Sequence, residues 1–284
     1  MDKRTSPIKF KLGSERSAAN VGEDPSSAAR PAPVAQGVPL SQLIKRELVP
    51  APEVVMFSDP QSIHAERFRR LKTTLVHQGD EVNVVVVSSG APGEGKSTVS
   101  INLALAYAAE ADERTLLVDA DLRHPALSKY FKPKPQIGLS HVLSGQAGED
   151  HAILRLGQPP LEFLPAGEMT KDPLNLLSTS AMKQLIKRLR ERYDHIIIDA
   201  PPLVPFTDAD EIGSHSDGLI LVVRAGVTPV SVVEQTIASI TSAPVIGMVL
   251  NDLRPGSLAD WGKSRGGHYD KYYASYYEER RKGE

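Results

Sequence analysis

Hydrophobic and polar positions alternate in three different textures along the chain. Over residues 1–53 no apolar period persists; seven of the 22 prolines fall there among Ser, Ala and charged residues. Such a stretch buries too little apolar surface to offset chain entropy. It reads as a disordered arm, with a short helix near Leu40–Leu48. From Ile63 to Leu75 the apolar residues Ile63, Phe68, Leu71 and Leu75 recur at helical spacing among charges. Then comes Val82–Val87, a β-branched run followed by a Gly-rich turn and a helical stretch from Ser97 to Ala109. Further short apolar runs follow at Thr115–Val118, Leu161–Leu164, His195–Ile198, Leu219–Val223 and Val245–Leu250, separated by helical patterns at Ser180–Arg192, Asp208–Gly213 and Val230–Ile240. Near-uniformly apolar strands alternating with helices predict a mainly parallel sheet covered on both faces, a three-layer α/β domain. Beyond Asn251 the pattern stops and the composition becomes that of a tail. The expected boundaries are an arm at 1–53, the α/β domain at 54–258 and a flexible tail at 259–284.

Composition changes this picture at one place. The chain has 284 residues and a net charge of −2, with 40% hydrophobic and 24% charged residues, an ordinary globular balance without a basic coat for nucleic acid. There is no cysteine, which excludes thiolate metal sites and a cysteine nucleophile. No apolar run reaches the ~20 residues needed to span a bilayer, and MDKRTSPIKF has no apolar signal-peptide core. The chain therefore reads as soluble and cytoplasmic. Aromatics are scarce, yet five of the eight tyrosines are Tyr269, Tyr272, Tyr273, Tyr276 and Tyr277. Without aliphatic partners, and followed by Glu278 and Glu279, this cluster suits an exposed substrate or contact surface better than a core or a base-stacking site.

Candidate chemistry sits where the strands end. Gly90-Ala-Pro-Gly93-Glu94-Gly95-Lys96-Ser97 fits G-x-x-x-x-G-K-[ST] between a strand and a helix. Its glycines free backbone N–H groups to surround phosphate oxygens, and the helix start adds a positive dipole end. Lys96 is placed for the β/γ-phosphates, Ser97 for Mg²⁺ and Thr98 for the α-phosphate. Two further apolar strands end in acids, Val118-Asp119-Ala120-Asp121 and Ile198-Asp199-Ala200-Pro201-Pro202. Asp199 suits a Mg²⁺ holder; Asp119 and Asp121 bring carboxylates able to orient the metal or accept a proton, with neither singled out as the base. A three-layer P-loop NTPase using ATP and Mg²⁺ is expected. A GTP site usually shows N-K-x-D; here Asn251-Asp252-Leu253-Arg254 lacks the lysine, and Asn251 is placed to meet an adenine edge.

These three motifs resemble the Walker A, A′ and B motifs of the bacterial tyrosine kinases, the polysaccharide-linked tyrosine autokinases of the MinD/ParA-like class of P-loop proteins. The resemblance runs from about Ile63 to Asn251 and takes in the tyrosine tail. The signature lysine of MinD/ParA ATPases is replaced by Ala91, as in the kinases. The resemblance implies a protein-tyrosine autokinase that phosphorylates its own tyrosine cluster and regulates exopolysaccharide or capsule assembly. It also implies a separate transmembrane co-polymerase as activator, which recruits the kinase to the inner face of the membrane, and a cognate phosphotyrosine phosphatase. Self-association into a ring is implied through an E-x-x-R-x-x-R helix, matched here by Glu66, Arg69 and Lys72, where lysine lacks the planar fork of arginine. The alternative is a MinD/ParA-like ATPase switch without kinase activity.

Overall fold

The computed structural model describes residues 47–252, apart from 78–81, 111, 133 and 157–159. A seven-stranded sheet has the order β5-β6-β3-β7-β2-β8-β9, formed by β2 (Val84–Ser89), β3 (Thr115–Asp119), β5 (Leu154–Arg155), β6 (Leu161–Leu164), β7 (His195–Asp199), β8 (Gly218–Arg224) and β9 (Val245–Asn251). All neighbours run parallel except the short edge strand β5, which is antiparallel to β6. β2, β3 and β7 are buried along nearly their whole lengths, which is why they read as unbroken apolar runs rather than alternating ones.

Helices cover both faces. On one side, α1 (Val55–Ser58), α2 (Ile63–Val76) and α3 (Lys96–Ala108) pack over Val85, Val87, Leu117, Ile197 and Ile220. On the other, α4 (Leu139–Leu143), α5 (Glu149–Ala152), α6 (Pro173–Leu177), α7 (Ser180–Arg190) and α8 (Asp208–Gly213) share a core with Val84, Val86, Leu116, Ile196 and Leu219, with α9 (Val230–Ser239) against the same core. α7 shows how sequence makes this layer: Met182, Leu185, Ile186 and Leu189 are buried at i, i+3, i+4 and i+7. The start of α2 is fixed by Ser62, whose Oγ accepts from Ala65 N at 3.1 Å.

Two expectations need correction. Residues 47–53, assigned to the arm, belong to the fold: β1 (Glu47–Leu48) pairs antiparallel with β4 (Phe131–Lys132), Leu48 is buried, and Val49 N donates to Tyr130 O at 2.7 Å. Of the helix expected near Leu40–Leu48, Glu47 and Leu48 are strand instead, and residues 1–46 lie outside the described residues. Leu48 finds a core because β4 and α3 supply one from far along the chain, which local composition does not reveal. Among the described residues no helix is long and apolar enough to cross a membrane. The tail expected at 259–284 lies outside the described residues, including all five tyrosines of its cluster.

Candidate active site

The site is assembled at the carboxyl ends of three adjacent strands, β3, β7 and β2. Parallel register sets Asp119 directly beside Asp199. The phosphate loop leaves β2 and enters α3 through Gly93 (φ 81°) and Gly95 (φ 94°). Gly95 is doubly constrained, because a Cβ there would lie 1.9 Å from Nδ2 of Asn251. The loop of residues 200–204 is stitched alongside: Ala200 N donates to Val87 O, Leu203 N to Ser89 O and Val204 N to Gly90 O.

The side chains predicted for the nucleotide converge. Ser97 Oγ donates to Asp199 Oδ2 at 2.6 Å. Lys96 Nζ lies 2.8 Å from Asp121 Oδ2 and 3.6 Å from Asp199 Oδ2. Asp119 and Asp199 are fully buried and Asp121 is 2% exposed. Three buried carboxylates thus meet one lysine. Burial opposes the charge on Lys96, but Asp199 and Asp121 outweigh it and hold its pKa above the ordinary lysine value. Burial, then the neighbouring Asp199, pushes Asp119 well above the usual aspartate range. Burial also raises Asp199, against the pull of Lys96 and the Ser97 hydroxyl.

The two acids after β3 are used differently. Asp119 spends both oxygens on backbone, Oδ1 accepting from Asp121 N at 3.3 Å and Oδ2 from Leu127 N at 3.1 Å. Asp121 uses Oδ1 for His124 N at 2.9 Å and turns Oδ2 to Lys96. Thr98 lies in the first turn of α3, its carbonyl accepting from Asn102 Nδ2 at 2.8 Å. Asn251, expected at a base, donates from Nδ2 to Glu94 O at 2.9 Å. Glu94 is buried, and its carboxylate accepts from Ala91 N at 2.9 Å and from the Thr228 hydroxyl.

Residues on α2 are brought together only in part. Arg69 NH1 pairs with Glu66 at 3.0 Å and NH2 donates to Pro60 O at 2.6 Å. Lys72 pairs with Glu110 instead of joining them. Sequence reasoning missed three contributors. Ser100, one turn after Ser97, reaches Asp199 Oδ1 at 3.1 Å; its i+3 spacing on α3 was the available signal. Asp208, fully buried, grips Arg123 through Nε at 3.1 Å and NH2 at 3.2 Å, and the guanidinium stacks 4.0 Å over Phe206. Thr228 had no local signal, since its partner is 134 residues away.

No group of three or more His, Asp or Glu side chains among the described residues is arranged to hold a metal alone. The Ser97 hydroxyl and the Asp199 carboxylate do form the all-oxygen donor pair that a hard divalent cation prefers, and the cluster's excess of carboxylates over lysine suits added positive charge.

A family model described as an AAA domain matches residues 82–244. The tyrosine-protein kinase CpsD of Streptococcus agalactiae is 34% identical over 209 residues, which is 72% of this chain and 90% of CpsD. The chain belongs to the bacterial tyrosine-kinase family. The succinoglycan biosynthesis transport protein ExoP of Rhizobium meliloti is 33% identical over 79% of this chain, which spans 30% of ExoP. The solved kinase domain of Escherichia coli tyrosine kinase ETK matches with a TM-score of 0.67 at 27% identity, covering 70% of this chain and 80% of that domain. The phosphate loop of this bacterial tyrosine kinase and the acidic ends of β3 and β7 all lie within the residues that the family model matches.

Proposed function

We propose that this bacterial tyrosine kinase uses ATP and Mg²⁺ to phosphorylate its own tyrosine cluster, Tyr269, Tyr272, Tyr273, Tyr276 and Tyr277. One observation carries the reading: Lys96, Ser97, Asp121 and Asp199 converge from three separate strand ends. Phosphoryl transfer needs little covalent help from a protein, so positioning and charge do most of the work. The amides framed by Gly90, Gly93 and Gly95 receive the phosphates, and charged Lys96 leaves Asp121 to grip the β/γ oxygens. Ser97 and Asp199 would hold Mg²⁺, with Asp119 beside them, and bound there it would supply charge neutralisation at the phosphates. Once Lys96 has moved to phosphate, Asp121 Oδ2 is free to accept the proton of the tyrosine hydroxyl. Asp119, with both oxygens on backbone and a raised pKa, serves as the anchor of that loop rather than the base. Asn251 and Thr98 complete the nucleotide contacts.

The biological setting follows from relatives such as ExoP, named for succinoglycan biosynthesis and transport. It is control of exopolysaccharide or capsule assembly through a separate transmembrane co-polymerase that recruits the kinase to the inner membrane face, with a phosphotyrosine phosphatase to reverse the modification. Glu66, Arg69 and Lys72 would support ring assembly, and Lys72 must leave Glu110 to take part. The switch-ATPase alternative has less support, because the relatives carry kinase names and position 91 is alanine.

A mixing experiment tests transfer between subunits. A chain with all five cluster tyrosines changed to phenylalanine serves as enzyme, and Lys96→Met as acceptor, with labelled ATP and Mg²⁺. Label on the acceptor's cluster supports the reading; no label in the mixture, when the unmodified chain labels itself, refutes transfer in a neighbour's site.

A further inference from the structure

The nucleotide-binding residues of the reading above leave one buried acid unexplained. Glu94 lies inside the phosphate loop, yet no cation neutralises it among the described contacts. It ties three places together. One carboxylate oxygen accepts from Ala91 N at 2.9 Å, bracing the loop across its own turn. The other accepts from the hydroxyl of Thr228, in the loop joining β8 to α9. Thr228 Oγ1 in turn accepts from Arg224 N at 3.2 Å, so its hydroxyl is directed from the β8 end to Glu94. The Glu94 carbonyl accepts from Asn251 Nδ2 at 2.9 Å, at the end of β9.

That last bond sets the orientation of an amide. Viewed from the ideal Cβ position of Gly95, Nδ2 of Asn251 is at 1.9 Å and Oδ1 at 3.9 Å. The nitrogen therefore faces the phosphate loop and the oxygen faces away from it. An amide oxygen accepts from the 6-amino group of adenine and repels the 6-oxo group of guanine.

We propose that Glu94 is a positioning residue that couples the grip on phosphate to the choice of purine. Its carboxylate holds residues 91–94 against Thr228, and this placement aims the Glu94 carbonyl at Asn251, fixing Oδ1 toward the base. The inference rests on the nucleotide reading above, with Asn251 as the base contact. Charge-assisted hydrogen bonds of this kind are worth ~1.5–3 kcal/mol when a partner is removed, which corresponds to ~10–100-fold in an equilibrium constant.

The test is nucleotide affinity of the full chain, measured by fluorescence with labelled Mg-ADP and Mg-GDP, without any phosphorylation readout. Glu94→Ala and Thr228→Val should each weaken Mg-ADP at least ten-fold and lower the ADP-over-GDP preference. Thr228→Ser, which keeps the hydroxyl, should restore both. The Glu94→Ala/Thr228→Val double variant should lose little more than either single one, because both cut one linkage. A merely structural role would lower the melting temperature yet leave the ADP-over-GDP ratio unchanged. An unchanged ratio, fully additive losses, or failure of Thr228→Ser to rescue would each overturn the coupling. If the unmodified chain binds neither nucleotide, the nucleotide reading itself fails; if it binds and the variants match it, only the role of Glu94 fails.

Discussion

Lys96→Met probes the electrostatics of the site apart from its chemistry. Lys96 Nζ is 2.8 Å from Asp121 and 3.6 Å from Asp199, with its side chain 11% exposed. Methionine keeps the stem and removes the one cation that, among the described residues, pairs with these acids. Removing one partner of a buried pair costs ~3–5 kcal/mol; proton uptake by the stranded acids limits the loss, so ~3 kcal/mol is expected near pH 8. For a domain of this size that lowers Tm by roughly 6–12 °C. The pH dependence has a definite sign. Asp119 and Asp199 already hold their protons more tightly folded than unfolded, burial being the main cause, and loss of Lys96 strengthens that. Folding therefore takes up protons above the ordinary aspartate value, ~4, and stability falls as pH rises toward the raised folded values. The deficit of Lys96→Met should be larger at pH 8 than at pH 5.5, measured by thermal melts of both chains without nucleotide. A variant melting within ~2 °C of the parent at pH 8, or a deficit that grows on acidification, would refute the reasoning.

Asp121→Asn should abolish tyrosine labelling while Mg-ADP affinity, read by fluorescence, changes by less than about ten-fold, whereas Ser97→Ala should mainly raise the Mg²⁺ concentration needed for half-maximal labelling. Asp119→Asn should flatten the fall in Tm between pH 5 and 8 relative to the parent, because it removes a group whose folded pKa is raised. Asp210→Ala should cost ~2–3 kcal/mol in chemical denaturation: the Asp210 carboxylate accepts from Thr241 N, Ser242 N, Ala243 N and the Thr241 hydroxyl. Because those bonds hold its pKa down despite burial, that contribution is present at neutral pH and is lost as pH falls below ~4.

The order of strands and helices was legible because a parallel sheet buried on both faces imposes long apolar runs, and Val84–Ser89, Thr115–Asp119 and His195–Asp199 are such runs. The phosphate loop was legible because a tight strand-to-helix turn around phosphate demands glycine at fixed places, and Gly93 and Gly95 occupy left-handed backbone. Partners distant in sequence were not legible. Leu48 reads as arm until β4 pairs with β1. Thr228 and Glu94, or Arg123 and Asp208, meet only because the sheet order sets their loops side by side. The distinct uses of Asp119 and Asp121 also escaped the sequence, since they depend on which backbone amides the chain after β3 turns toward each carboxylate.

Phosphotyrosine mapping after incubation with ATP and Mg²⁺ tests the central claim most directly. The full chain is incubated alone and with the cytoplasmic segment of a candidate membrane activator, then digested and analysed by mass spectrometry. The account predicts phosphate on tyrosines within residues 269–277, absent from Lys96→Met and Asp121→Asn. Phosphate missing from that cluster under both conditions, or persisting in Lys96→Met, would contradict it.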